Sequence, residues 1–295
     1  MGSVSKTCRG SYIAGCNREY RDECCESMED HITSMLKKYR SLDKGVKTSI
    51  RKAYEIYIEH VKAALSINGR IVENSKLLIG CDPVELVIAF HDLGKCTEKN
   101  QESLREKCTA PYHEIISAAS LYAFSIFIDK NFGLISALPH IMAILLHHHS
   151  MRSIKDILDT ASKSKLYWDK DSENMAECAK ISFKIDCPDL AQYIDNPMWI
   201  SNISGYIRAL PNVISKMELL RGGDRSKVRN ELYYLVYRVA VMITGVISIL
   251  DRYAASVNRS CGRISEDDLD RDVKEYLRRR GAFIEASRTL SVGGD

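Results

Sequence analysis

Histidines and carboxylates recur along this chain in a series that could hold metal ions. His91 and Asp92 are adjacent, within the stretch HDLGK that runs from His91 to Lys95. His31 precedes them and His113 follows. His147, His148 and His149 form an uninterrupted run, and Asp251 closes an apolar segment far downstream. Imidazole nitrogens and carboxylate oxygens are ligands of divalent transition metals. Of 8 histidines, all but His60 and His140 fall in this series. That concentration points to a metal-dependent hydrolase rather than to histidines scattered over a surface.

Each residue also has a plainer reading. His31 is followed by Ile32, Met35, Leu36 and Tyr39 at helical spacing, which fits a histidine at the edge of a core. His60 falls on the polar side of its helix and reads as a surface residue. His140 follows Pro139 and reads as a capping or packing residue. Asp251 could pair with Arg252 or face solvent. The His91-Asp92 pair is harder to dismiss, because burying both without partners would be costly. A metal satisfies both, and the two oxygens of Asp92 could bridge two ions. On a helix, neighbouring residues diverge by about 100°. At most two of the three consecutive histidines can therefore face one site, unless the helix ends there; Ser150, Arg152 and Ser153 signal such an end.

The elements that must position these groups are helical. Val46, Ile50, Tyr54, Tyr57, Val61 and Leu65 recur every three or four residues, which predicts an amphipathic helix ending near Asn68-Gly69. Asp82-Pro83 is a cap followed by proline at the first helical position. The helix Val84 to Asp92 is expected to end at Gly94 in a left-handed cap, with His91 and Asp92 on its last turn. Further helices are expected over Tyr112 to Lys130, from Leu138-Pro139 into the histidine run, over Asn230 to Val257, and over Asp267 to Arg280. Lys180 to Asp186 reads as a short strand. Met151 to Arg229, with turn signals at Asp186-Cys187-Pro188, Asn196-Pro197 and Arg221-Gly222-Gly223-Asp224, reads as an insertion, mobile around Arg221 to Arg229. The expectation is one all-α domain over 1–295, interrupted at 151–229.

Composition narrows the class. The 295 residues can bury a sizeable core, and 45% hydrophobic and 27% charged residues are ordinary for a globular protein. A net charge of +3 neither demands nor excludes nucleic acid. Lys37-Lys38-Tyr39-Arg40, Arg221 to Arg229 and Arg278-Arg279-Arg280 could line a strand path, or be solvated faces of mixed charge. Tyr233, Tyr234 and Tyr237 are expected in the core. The 10 cysteines form no CxxC pair. With no signal peptide at the start, a cytoplasmic protein with reduced thiols is expected; a disulfide or small metal site among Cys8, Cys16, Cys24 and Cys25 is the alternative. The apolar run Val239 to Leu250 is too short for a bilayer, which needs about 20 residues, so no membrane association is expected. No GxxxxGK[ST] phosphate loop is present, so ATP-driven unwinding is not expected of this chain.

The series resembles the HD superfamily of metal-dependent phosphohydrolases, whose pattern H…HD…H…HH…D is filled by His31, His91-Asp92, His113, His148-His149 and Asp251. HDLGKCTEKNQ (His91 to Gln101), YHEIISAA (Tyr112 to Ala119), LLHHHS (Leu145 to Ser150) and LDRYAAS (Leu250 to Ser256) look like the CRISPR-associated HD nucleases, the nuclease part of the type I interference helicase-nuclease. The resemblance implies a helical HD bundle with its site between helices and two divalent ions. One would be held by His31, His91, Asp92 and Asp251. The second would be held by His113 and two of the three consecutive histidines, with Asp92 shared. Ser150 stands where the family has a small residue, which places the pair at His148-His149 and leaves His147 a bystander; a shift to His147-His148 is the alternative. Lys95 would lie close to a substrate phosphate, and the nucleophile would be a metal-bound water. Imidazole suits manganese, nickel, cobalt, iron or zinc better than magnesium, which prefers oxygen, although magnesium is compatible with a loose second site. Two ions roughly 3.5–4 Å apart can clamp the attacking and leaving oxygens of a phosphodiester. The implied substrate is single-stranded DNA, then RNA, and the implied partners are a separate helicase subunit and a CRISPR surveillance complex. A nucleotide or cyclic-nucleotide phosphohydrolase is the alternative within the fold. A non-catalytic metal-stabilised subunit that docks a helicase is the alternative of another class.

Overall fold

The computed structural model describes residues 12–16, 25–67, 80–130, 132–148, 159, 171–201, 203–219 and 227–259. The described elements are helices, apart from one antiparallel hairpin of β1 (Ile13–Cys16) and β2 (Cys25–Ser27). The helices are α1 (Met28–Ser41), α2 (Lys44–Ile67), α3 (Pro83–Phe90), α4 (Glu98–Lys107), α5 (His113–Ile128), α6 (Gly133–Leu146), α7 (Asp171–Ser182), α8 (Pro188–Ile194), α9 (Ile203–Leu219) and α10 (Lys227–Arg259). Two 3₁₀ turns, Leu93–Cys96 and Pro197–Trp199, complete the list. The architecture is the all-α bundle the periodicity predicts.

Helix starts follow local chemistry. Ser27 caps α1 by accepting from Asp30 N at 3.0 Å. Asp82 caps α3 by accepting from Val84 N at 2.9 Å and Glu85 N at 3.1 Å, with Pro83 in the first turn. Asp82 also accepts from the buried Tyr39 hydroxyl at 2.9 Å, so the cap is anchored to α1. On α2, Ile50, Tyr54, Tyr57, Ile58 and Val61 are buried, which is the stripe read from the sequence.

At the centre lies α10. Its Val236, Val239, Ala240, Ile243, Ile247 and Leu250 are buried, and it packs against α1, α2, α3 and α6. Glu231–Arg259 is long and apolar enough, by length and composition, to cross a bilayer; here the same apolar face is spent on four neighbouring helices.

Several elements differ from expectation. The helix leading into the histidine run begins at Gly133 rather than Leu138, so Pro139 lies inside α6. Proline removes the hydrogen bond that would reach back four residues, which frees the Ile135 carbonyl. The Tyr57 hydroxyl donates to that carbonyl, and Tyr54 donates to Ser136 O at 3.1 Å. Two tyrosines of α2 thus satisfy the break. His140, one residue on, is buried in α6 against the edge of Tyr54 rather than capping a helix. Lys180 to Asp186 is no strand: α7 runs to Ser182 and irregular chain follows. Tyr234 and Tyr237 are 63% and 43% exposed, not core, because the inward face of α10 is already filled by its branched aliphatics. Arg40, half exposed, pairs with Glu85 at 2.8 Å. Arg221, Asp267 to Arg280 and Leu65's side chain lie outside the described residues.

The expectation of reduced thiols is overturned. Cys16–Cys108, Cys81–Cys187 and Cys96–Cys178 are disulfides, and Cys25 is also disulfide-bonded. Each of the three closes a loop of at least 82 residues, so no short motif announces it.

Candidate metal centre

His91 and Asp92 leave the helix α3, whose residues from Pro83 to Phe90 are all buried. The chain then turns through the 3₁₀ segment Leu93–Cys96, which holds Lys95. Gly94 is required here by close approach rather than by a left-handed conformation: a Cβ would collide with the His113 carbonyl oxygen. Ser117 of α5 accepts from Gly94 N at 2.8 Å. Asn100 donates to Gly94 O at 2.8 Å, and Gln101 donates to Lys95 O at 2.8 Å. The polar tail of HDLGKCTEKNQ is therefore the scaffold of the turn. Cys96–Cys178 ties the same turn to α7.

His31 enters from the first turn of α1, His113 opens α5, His147 and His148 follow α6, and Asp251 projects from α10. Ser248 of α10 donates to His147 O at 3.2 Å, which fixes the end of α6 beside the Asp251 helix.

Two clusters result: His31, His91, Asp92 and Asp251, and His113, His147 and His148. Within each, the potential ligand atoms lie within 4.8 Å of one another. Asp92 stands between them. Its Oδ2 is 3.3 Å from His31 Nε2 and 3.4 Å from His91 Nε2, and its Oδ1 is 3.2 Å from His113 Nε2. Asp251 Oδ1 is 3.4 Å from His31 Nε2. Lys95 Nζ also sits on Asp92 Oδ2, at 2.6 Å.

The ring nitrogens are sorted by their hydrogen bonds. A carbonyl or carboxylate oxygen can only accept, so the Nδ1 atoms facing Glu26 (2.7 Å from His31), Ile88 O (2.9 Å from His91), Ala110 O (2.7 Å from His113) and Ile144 O (from His147) must carry hydrogen. In the neutral ring Nε2 then offers a lone pair. His31 and His91 aim these atoms at each other across 3.4 Å, and His113 aims its own at His148 Nε2 across 3.2 Å, a hydrogen bond in the Nε2–H tautomer of His148. Facing lone pairs repel unless a proton or a cation lies between them. Asp92 Oδ1 and His147 Nε2 are buried without a hydrogen-bond partner, an arrangement that calls for an explanation and that a bound cation supplies. This donor set of nitrogens and carboxylate oxygens fits a divalent transition metal.

Electrostatics agree. Burial pushes the Asp92 carboxyl up, but His91, Lys95 and His113 outweigh it and hold it well below the usual carboxylate range. Asp251 is likewise held low, chiefly by His31 against the effect of burial. Burial pushes His91 down. His147 is driven well below its ordinary value by burial and by its neighbouring imidazoles, and His148 is pushed down to about 4 by burial and His113. Those three rings are neutral near pH 7, the ligand form. His31 is raised: Glu26, Asp92 and Asp251 overcome its desolvation.

His31, His91, Asp92, Lys95, His113, His148 and Asp251 thus lie together. His149 lies outside the described residues. His147, expected as a bystander, lies beside His113 and His148. Its ring is 5.6 Å from that of His113 and 5.4 Å from that of His91, because the helix ends at Leu146 and the chain turns His147 inward. Sequence reasoning missed Glu26, which is fully buried against His31; a glutamate in a three-residue strand carries no local signal of that role.

Fold and site define a helical protein whose core opens on two adjoining clusters suited to divalent metal ions. Among solved structures the chain is similar to the CRISPR-associated Cas3 HD domain protein MJ0384 from Methanocaldococcus jannaschii, with a TM-score of 0.37 and 16% identity over 74% of this chain and 95% of that one. No family model matches the chain, and no curated protein matches it.

Proposed function

We propose that this chain is a metal-dependent phosphodiester hydrolase that cleaves single-stranded DNA, with RNA as a second polymer substrate, in CRISPR interference. The observation that carries the reading is the position of Asp92, whose two oxygens face the two histidine clusters. His31, His91, Asp92 and Asp251 would hold one ion and His113, His147 and His148 the other. Bound there, divalent metals would supply an acidified water and neutralise charge on the phosphate. Lys95, 2.6 Å from Asp92, orients that carboxylate and brings a positive charge to the place where a phosphate would lie. The further elements of the proposal are a cytoplasmic setting, a helicase on a separate polypeptide and a surveillance complex that presents the strand.

A second reading has its own support. Asp92 is 1% exposed and His31 and His91 are fully buried, a depth that suits a nucleotide or cyclic nucleotide better than a polymer. One assay separates the two. Purified protein with Mn²⁺ is given labelled single-stranded DNA, single-stranded RNA, a nucleoside triphosphate and a cyclic nucleotide, alongside Asp92→Ala. Cleavage of the polymers by the parent alone supports the nuclease; turnover of the small substrates alone transfers the site to the second reading. Equal activity in parent and variant would refute both.

A further inference from the structure

We infer that Glu26 is a positioning residue for His31, and that it sets the affinity of the cluster of His31, His91, Asp92 and Asp251 for a divalent cation. The inference rests on the metal reading above and adds to it a residue outside the ligand set. Glu26 is on β2 and fully buried. Its Oε1 accepts from His31 Nδ1 at 2.7 Å and from Asn258 Nδ2 at 2.9 Å, while its Oε2 accepts from Arg259 Nε at 2.7 Å. Gly15 on β1 makes room for that arginine: a Cβ there would overlap the guanidinium. The carboxylate is thus held by donors on both oxygens.

His31 is treated differently from the other rings of the site. His91, His113 and His147 each hold Nδ1 on a carbonyl three residues upstream, Ile88, Ala110 and Ile144. Those bonds come with the local turn. His31 uses an ionised side chain from another element instead. A carboxylate behind a ligand imidazole fixes the tautomer and ring orientation, and raises the basicity of the ligating nitrogen. Glu26 also joins the hairpin to the end of α10, two turns beyond Asp251. One carboxylate therefore sets the relation between ligands from opposite ends of the described chain, His31 and Asp251, whose facing atoms are 3.4 Å apart.

The test is a calorimetric titration of the full chain with Co²⁺ alone, with far-UV circular dichroism as the folding control. The parent is expected to bind two ions. Glu26→Gln keeps the shape but must turn an amide nitrogen towards a donor; it should bind one ion as the parent does and the other about 10-fold or more weakly. In a His113→Ala background, the Glu26→Gln loss should fall on the remaining ion. Arg259→Ala removes the ion pair between hairpin and α10 but leaves Glu26 its bonds to His31 and Asn258, and should keep both affinities. Parental binding of both ions by Glu26→Gln would overturn the inference, and so would equal weakening by Arg259→Ala, which would make Glu26 merely structural. Should Glu26→Gln fail to fold, Glu26→Asp retracts the charge by one methylene and is expected to weaken the same ion; parental binding by that variant would overturn the inference as well. A parent that binds no Co²⁺ would instead refute the metal reading itself.

Discussion

Oδ1 of Asp92 lies 3.2 Å from Nε2 of His113, although one residue leaves a buried helix and the other opens the next long one. That approach exists because Gly94 has no side chain and the 3₁₀ turn can lie directly on the first turn of α5. The shared carboxylate, on which the functional proposal depends, is a consequence of this packing.

His147 should matter to metal binding. Its buried Nε2 has no hydrogen-bond partner and its ring faces His91 and His113. His147→Ala is expected to weaken one of the two ions by more than the roughly 10–100-fold typical of an outer-shell partner, and by more than His149→Ala does. Metal titration of the two variants checks this; the opposite order would place the ligand pair at His148-His149.

Lys95 should oppose metal binding while supporting turnover. Its ammonium is 2.6 Å from the oxygen that also faces His31 and His91. Lys95→Met removes a positive charge beside an incoming cation. Metal affinity is expected to rise, and cleavage to fall by about 10-fold or more, since a charged group at a developing phosphate charge is worth that order. A variant with weaker metal binding would show that Lys95 mainly holds Asp92 in place.

His140 should make the fold acid-sensitive. It is fully buried, with neither ring nitrogen in a well-aligned hydrogen bond, and burial pushes it down to about 4. Above pH 6.5 the ring is neutral in both folded and unfolded chains and contributes no pH dependence. As pH falls from 6.5 towards 4 the unfolded chain takes up a proton that the folded one does not, so stability is lost, by about 3 kcal/mol at pH 4. His140→Leu should remove that share of the loss. Urea denaturation of parent and variant at pH 7 and pH 4.5 would reveal it as a gap that widens on acidification.

The disulfides should support both stability and site. The residues they join are 82 to 106 apart in sequence, and removing a cross-link over such a loop typically costs about 2–5 kcal/mol. Cys96 directly follows Lys95 in the turn of the metal centre. Cys96→Ser with Cys178→Ser is therefore expected to lower the melting temperature and weaken metal binding together. Cys16→Ser with Cys108→Ser is expected to lower melting more than metal affinity. Thermal unfolding and metal titration of both double variants would separate the two effects.

What the sequence by itself determined is whatever depends on near neighbours. The 3.6-residue recurrence of Val46 to Val61 specified α2 and Asp82-Pro83 specified the start of α3, because caps and stripes are written in contiguous residues; the order of His31, His91-Asp92, His113 and Asp251 pointed to one shared site only through its resemblance to a known family pattern. The structure decided what long-range contact controls. Pro139 sits inside α6 because Tyr57 takes up the carbonyl it frees, from 78 residues away. His147 turns inward because α10 holds the end of α6 at Ser248. Glu26, a near neighbour of His31 in sequence, is held against it by Asn258 and Arg259 from the far end of α10, and cysteines at least 82 residues apart meet only in the packed bundle. Each of these groups satisfies a buried polar atom or a covalent partner supplied by a distant element, and that supply exists only after the chain has collapsed.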